Sequence, residues 1–183
     1  MDRRQRKTRD AIFRAFIDLL SQKRYHQITV GEILSKADIG RATFYAHFET
    51  KDYLLRALCH ELFAHVFEAE KGDGSEHSGI FACNAPKSVY LHLVQHLQKN
   101  DNHILQLLSG QNNEVFLQYF KSELKLLAEN QLDLFAERKP AELPEDFWVD
   151  HICSTFVETI RWWLEGGRKE SPETITKYFF LAV

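Results

Sequence analysis

Between Thr29 and Leu55 the chain reads TVGEILSKADIGRATFYAHFETKDYLL, a run that fits two short helices meeting at a tight turn and little else. Thr29 stands three residues before Glu32, the Thr-x-x-Glu pattern that satisfies free amide donors at a helix start. Val30, Ile33, Leu34 and Ala37 then fall at i, i+3, i+4 and i+7. They form one inward stripe and leave Gly31, Glu32 and Lys36 outside. Asp38 tolerates a left-handed backbone and Gly40 adopts almost any, so the chain can reverse before the second helix begins.

That second helix, expected over about 41–48, is too short and too polar to be a core element. Phe44 and Phe48 pack inward at i and i+4 with Ile39, which leaves Arg41, Ala42, Thr43, Tyr45, Ala46 and His47 on the outer faces. These groups suit a DNA major groove. Arg41 can reach guanine O6 and N7, Ala42 can meet a thymine methyl, and Thr43, Tyr45 and His47 can bond bases or phosphates. Lys51 opens the next helix, where free amides and an ammonium together suit a phosphate. With Thr29 these residues form the candidate DNA-binding set.

The run resembles the DNA-binding domain of the tetracycline-repressor (TetR/AcrR) family, whose pattern places a Thr-x-Tyr-x-His-Phe segment before a Lys that opens a long helix. The matching positions are Thr43, Tyr45, His47, Phe48 and Lys51. The chain departs from the family pattern at Asp38, where Gly is common, and at Gly40, where Ser is common. The second departure removes a possible cap or phosphate hydroxyl.

Charge is divided along the chain. Residues 1–51 hold eleven Lys or Arg against six Asp or Glu, whereas residues 52–183 hold twelve against twenty, for an overall −3. A basic end on an acidic remainder draws phosphate to one face. Arg3, Arg4, Arg6, Lys7 and Arg9 precede the first helix and are expected to contact the DNA backbone or a minor groove. At 183 residues with 44% hydrophobic content the composition is that of a globular chain. The apolar runs are too short for a membrane span and the N-terminus lacks a secretion signal, so a cytoplasmic location is expected.

Helical patterning continues throughout. A first helix is expected over about 8–23, with Ile12, Phe16, Leu19 and Leu20 as its stripe. A long one is expected over about 51–70, capped by Thr50 and buried through Leu54, Leu55, Leu58, Leu62 and Phe63. The resemblance implies that this long helix carries ligand-driven motion to the DNA-facing helices. Residues 72–79 read as a surface loop, and helices follow from near Pro86 to Leu97, over about 102–109 and over about 113–137. After the proline-bearing connection 138–144, a helix over 147–165 ends at Gly166-Gly167, and Ser171-Pro172-Glu173 starts the last one.

The last two helices carry more large apolar residues than one face can hold, which calls for a second subunit unless these aromatics pack within one subunit. The resemblance implies a four-helix dimer interface there, and Trp148, Ile152, Phe156, Ile160, Trp163, Ile175, Tyr178 and Phe179 are its expected members. The run from Trp162 through Gly167, followed by Ser-Pro-Glu, also looks like the C-terminal domain of one TetR/AcrR subgroup. Among the middle helices, Phe63, Phe67, Tyr90, Leu105, Phe116, Phe120 and Phe156 either line a pocket for an apolar or aromatic effector or simply fill a core.

His92 and His96 stand at i and i+4, a spacing able to bind a metal, with His60 and His65 nearby in sequence. No third ligand falls at a recognisable spacing, so no metal site is expected. Cys59, Cys83 and Cys153 are too few and too scattered for a disulfide framework. No phosphate loop, nucleophile elbow or HExxH pattern is present, and neither catalysis nor a cofactor is expected.

The expectation is an all-α chain, with a helix-turn-helix DNA-binding domain over 1–50 and a helical effector-binding and dimerisation domain over 51–183. It would act as a homodimeric repressor on a palindromic operator, released by a small molecule. An activator, a regulator controlled by a protein partner, and a helical enzyme or scaffold are the alternatives.

Overall fold

The computed structural model describes residues 3–70, 88–99 and 114–183. Every regular element among them is helical: α1 Arg3–Gln22, α2 Val30–Ala37, α3 Arg41–Tyr45, α4 Lys51–Glu70, α5 Val89–Lys99, α6 Glu114–Asn130, α7 Glu145–Glu165 and α8 Pro172–Ala182. Short 3-10 turns cover Tyr25–Gln27 and Leu132–Arg138. The loop 72–79, Cys83, Pro86, Leu105 and the helix expected over 102–109 lie outside the described residues.

Local chemistry sets the first boundaries. Thr29 Oγ1 accepts from the Glu32 amide at 3.3 Å while Glu32 Oε2 accepts from the Thr29 amide at 2.9 Å, closing the capping box. Asp38, at φ 52° and ψ 51°, supplies the left-handed residue that ends α2. Gly40, at φ −76° and ψ 156°, is ordinary extended backbone, so its freedom is not used and α3 starts with no side-chain cap. Thr50 accepts from the Tyr53 amide at 3.0 Å and caps α4, as its position predicts.

α1 begins at least five residues before the expected start, so the basic arm is helical and not an extended tail. The helix expected over 113–137 breaks at Gln131, whose φ −123° and ψ 20° leave the α region, and it continues only as 3-10 turns. Ser88 caps α5 and Ser171 caps α8, with Pro172 in the first turn of the latter.

Buried side chains run without interruption from Ile12 on α1 to Phe179 on α8. α1 packs on α2, and α4 packs on both α5 and α6. α6 meets α7, and α8 closes on α5 and α7. Polar links cross these joints: His60 to Glu123 at 3.3 Å, Lys125 to Asp150 at 3.2 Å and Gln95 to Glu173 at 3.3 Å. Among the described residues no helix is long and apolar enough to cross a membrane.

Two outcomes are expected. A Cβ at Gly40 would meet only Thr43 Oγ1, at 4.0 Å. Gly40→Ser therefore adds the missing cap and stiffens the unfolded chain, raising stability by about 0.5–1 kcal/mol in thermal melts. Glu32 also pairs with Lys23, and that contact, with the cap, lowers its carboxyl to about 2. A depressed folded value means that stability is fully present above the ordinary carboxylate range and is lost as pH falls from about 4.5 through 2. Glu32→Gln should remove that part of the acid dependence in melts recorded across this window.

Candidate nucleic-acid interface and the helices behind it

Five residues cannot hold a helix in water, so α3 owes its shape to what lies beneath it. Phe44 and Phe48 are fully buried, their rings 6.0 Å apart, and Phe48 meets the edge of Phe13 from α1 at 5.4 Å. With those two rings inside, Arg41, Ala42, Thr43 and Tyr45 face out, Tyr45 at 47% exposure. His47 is half-buried in the turn after α3, its ring 6.3 Å from that of Phe48. Thr29 is exposed at the start of α2, but its hydroxyl is engaged with Glu32.

Two further residues assigned to DNA by sequence have internal partners. Lys51 is half-buried, and its ammonium donates to the carbonyls of Tyr25 at 2.9 Å and Ile28 at 2.8 Å while lying 4.2 Å from the centre of the Tyr25 ring. Burial holds that ammonium below the usual lysine range. Two of its three N–H groups thus fasten α4 to the segment before α2, and one remains for a phosphate. Beside it the Tyr25 hydroxyl donates to Asp52; burial, reinforced by that carboxylate, raises the phenol.

Arg9 leaves the expected phosphate-binding arm. Its Nε and Nη2 donate to Glu61 on α4 at 3.2 and 2.9 Å, and its guanidinium lies 5.0 Å from the ring centres of Phe13 and Phe48. Arg3, Arg4, Arg6 and Lys7 remain exposed on the first turns of α1. No sequence spacing pairs Arg9 with Glu61 or Tyr25 with Asp52, because each contact joins helices distant in the chain.

The expected effector residues divide between two aromatic groups. Phe63, Phe116 and Phe120 pack together, with Phe63 edge-on to Phe120 at 5.2 Å. Tyr90 packs with Phe135, Phe156, Phe179 and Phe180, its ring 5.8 Å from Phe156 and 4.9 Å from Phe179. Phe67 is half-buried against the same core. The Tyr90 hydroxyl is buried with no hydrogen-bond partner among the described residues, leaving one polar atom within an apolar surround.

The residues expected at the dimer interface divide by burial. Trp148, Ile152, Phe156, Ile160, Trp163, Ile175 and Phe179 are all buried inside the single chain, because α7 and α8 use their large residues to cover α5 and each other. Tyr178 alone of that set is exposed, at 43%, and Trp162 at 53% and Leu181 at 71% join it. These flank an open groove of about 560 Å³ formed by Ser154, Thr155, Glu158, Thr159, Trp162, Tyr178 and Ala182.

Chemistry of other kinds is sparse among the described residues. Cys59 and Cys153 are buried free thiols, both raised by burial, the latter to about 12. One cluster had no complete sequence signature: His65 of α4 lies against His92 and His96 of α5. The i, i+4 pair was visible in sequence, but only the packing of α4 on α5 supplies the third ring.

The profile described as "Bacterial regulatory proteins, tetR family" matches residues 12–58, and the one described as "Transcriptional regulator C-terminal region" matches residues 84–183. The crystal structure of a TetR transcriptional regulator from Streptococcus agalactiae superposes with a TM-score of 0.71 at 35% identity, covering 98% of this chain and 95% of that one. YxbF of Bacillus subtilis, an uncharacterized HTH-type transcriptional regulator, is 27% identical over 98% of this chain. DhaS of Lactococcus lactis, an HTH-type operon transcriptional activator, is 36% identical over 72 residues, or 39% of this chain. The matches span 45% of YxbF and 36% of DhaS, less than half the length of these relatives.

Lys51→Ala should lower stability by about 1–3 kcal/mol, because it removes two charge-assisted bonds to backbone carbonyls. Arg41→Ala, at an exposed position, should stay within about 0.5 kcal/mol. Thermal melts in the absence of DNA check both.

Proposed function

As a member of the tetR family of bacterial regulatory proteins this chain is a DNA-binding transcriptional regulator, and we propose that it works as a homodimeric repressor released from a palindromic operator by a small apolar molecule. The observation that carries this reading is the outward display of Arg41, Ala42, Thr43 and Tyr45 from a helix pinned by Phe44 and Phe48. In the proposed division, residues 1–50 read DNA and residues 51–183 bind the effector and pair the subunits.

The reader is small. One such helix binds too weakly alone, whereas two related by a twofold axis engage successive major grooves and add their energies. The exposed Trp162, Tyr178 and Leu181 of α7 and α8 are the surface proposed for pairing. An effector seated against the Tyr90 and Phe156 rings would push on α5, α7 and α8, and α5 packs on α4. Movement of α4 changes the separation of the two readers and hence operator affinity, with no base contact altered. A second sign of regulation is favoured by one observation: the 72-residue match to DhaS is to an activator, so the same binding event could recruit transcription instead of blocking it.

Selection of bound sequences from a random duplex pool at near-physiological salt tests the reading. The native protein should enrich a palindrome, Tyr45→Ala should enrich none while remaining folded, and Arg41→Ala should relax the preference at one position of each half-site by about 1–3 kcal/mol. An unchanged selected sequence and affinity in Arg41→Ala would sink the assignment of direct base readout. Enrichment of nothing by the folded native protein would sink the operator reading.

A further inference from the structure

Three imidazoles meet where α4 crosses α5, in a part of the chain that the DNA-facing surface does not use. His65 comes from α4, and His92 and His96 stand one turn apart on α5. His92 and His96 are 1% and 3% exposed, and His65 is half-buried. Nε2 of His92 lies 3.0 Å from Nε2 of His96, and the His65 ring sits against both, with its centre 5.0 and 4.6 Å from theirs. One potential ligand nitrogen from each ring falls within 4.8 Å of the other two.

Polar rings cost stability in an apolar interior unless their nitrogens are engaged. Two nitrogens 3.0 Å apart can share one proton, or they can share a Lewis acid. Imidazole is a good ligand for zinc, cobalt, nickel and copper ions, and a poor one for magnesium or calcium. A tetrahedral zinc ion with bonds of about 2.0–2.1 Å sets its nitrogens about 3.3 Å apart. The His92–His96 pair is already near that separation, and rotation of the His65 side chain closes the third side.

We propose that His65, His92 and His96 bind one divalent transition-metal ion of the zinc, cobalt or nickel type, with the fourth position open to water or a ligand. Such an ion ties α4 to α5 by bonds much stronger than the surrounding packing. His65 lies about 21 Å along α4 from Lys51, on the rod fastened to the DNA-facing helices. Metal occupancy therefore sets where that rod rests. This regulatory consequence depends on the proposed function, and the metal site itself does not.

The test is a Co(II) titration of the full chain, stripped of metal with a chelator and kept free of DNA. His65→Ala, His96→Leu and the exposed control His151→Ala are titrated alongside. One equivalent should bind with the intense visible absorption of four-coordinate cobalt, and Zn(II) should displace it. Affinity should fall at least about 100-fold in His65→Ala and His96→Leu and stay unchanged in His151→Ala. Zn(II) should also raise the melting midpoint of the native chain and not of those two variants. Where circular dichroism shows a variant unfolded, His65→Gln takes its place, since that position is half-buried and Gln keeps most of the side chain's bulk. A weak six-coordinate spectrum, no binding at micromolar metal, or binding indifferent to loss of His65 overturns the proposal. If the metal fails to bind while the native chain still selects a palindrome, the metal site falls and the operator reading stands. Metal binding without DNA selection separates them the other way.

Discussion

The helix-turn-helix end of this molecule depends on a helix that could not exist alone. α3 has five residues, one turn and a fraction, and it starts without a side-chain cap. Nucleating so short a segment is unfavourable, so its geometry is imposed by the burial of Phe44 and Phe48 against Phe13. Each of those rings is worth about 3–5 kcal/mol against alanine in a well-packed interior, far more than five residues of helix propensity supply. The polar outer face is free to vary because the inner face alone holds the helix in place. Arg9 seals the arrangement from above, its guanidinium against Phe13 and Phe48 and its hydrogen bonds on Glu61.

α4 is fastened to this unit at two heights. Lys51 and Asp52 hold Tyr25 and Ile28 at its first turn, and Glu61 holds Arg9 about 15 Å further along. Two attachments at separate heights remove the freedom to swivel that a single contact would leave. Beyond Glu61, the far half of α4 meets α5 and α6. His65 and Phe63 lie in that far half, His65 against His92 and His96 of α5 and Phe63 against Phe120 of α6.

What was legible in the sequence follows the range of the interactions. The capping box at Thr29 and Glu32, the caps at Thr50 and Ser171 and the apolar stripes of α1, α2 and α4 are local, and the structure repeats them. Asp38 takes the left-handed turn that its neighbour Gly40 could equally have taken, a choice that only the path of the backbone decides. Contacts between distant helices were not legible. The internal partners of Lys51 and Arg9 were hidden because a cation in a basic stretch carries no mark of the carbonyl or carboxylate it will meet. The burial of Trp148, Ile152 and Phe179 within the chain was hidden for a related reason: a helix apolar on two sides can be covered by its own chain as well as by another. Likewise His92 and His96 could be paired from their spacing, whereas His65 joins them only through the packing of α4 on α5.

Trp162 and Trp163 are neighbours in the chain with opposite surroundings. Trp163 is fully buried and donates its indole N–H to the Glu170 carbonyl at 3.0 Å, while Trp162 stands 53% exposed with its ring 6.1 Å from that of Tyr178. Indole fluorescence shifts to the blue in a dry environment and to the red in water, so this dipeptide emits in two colours. The blue component follows the integrity of the helical interior and the red component follows whatever settles on the outer face of α7 and α8. The chain thus carries an unlabelled optical gauge that distinguishes loosening of its core from covering of its surface.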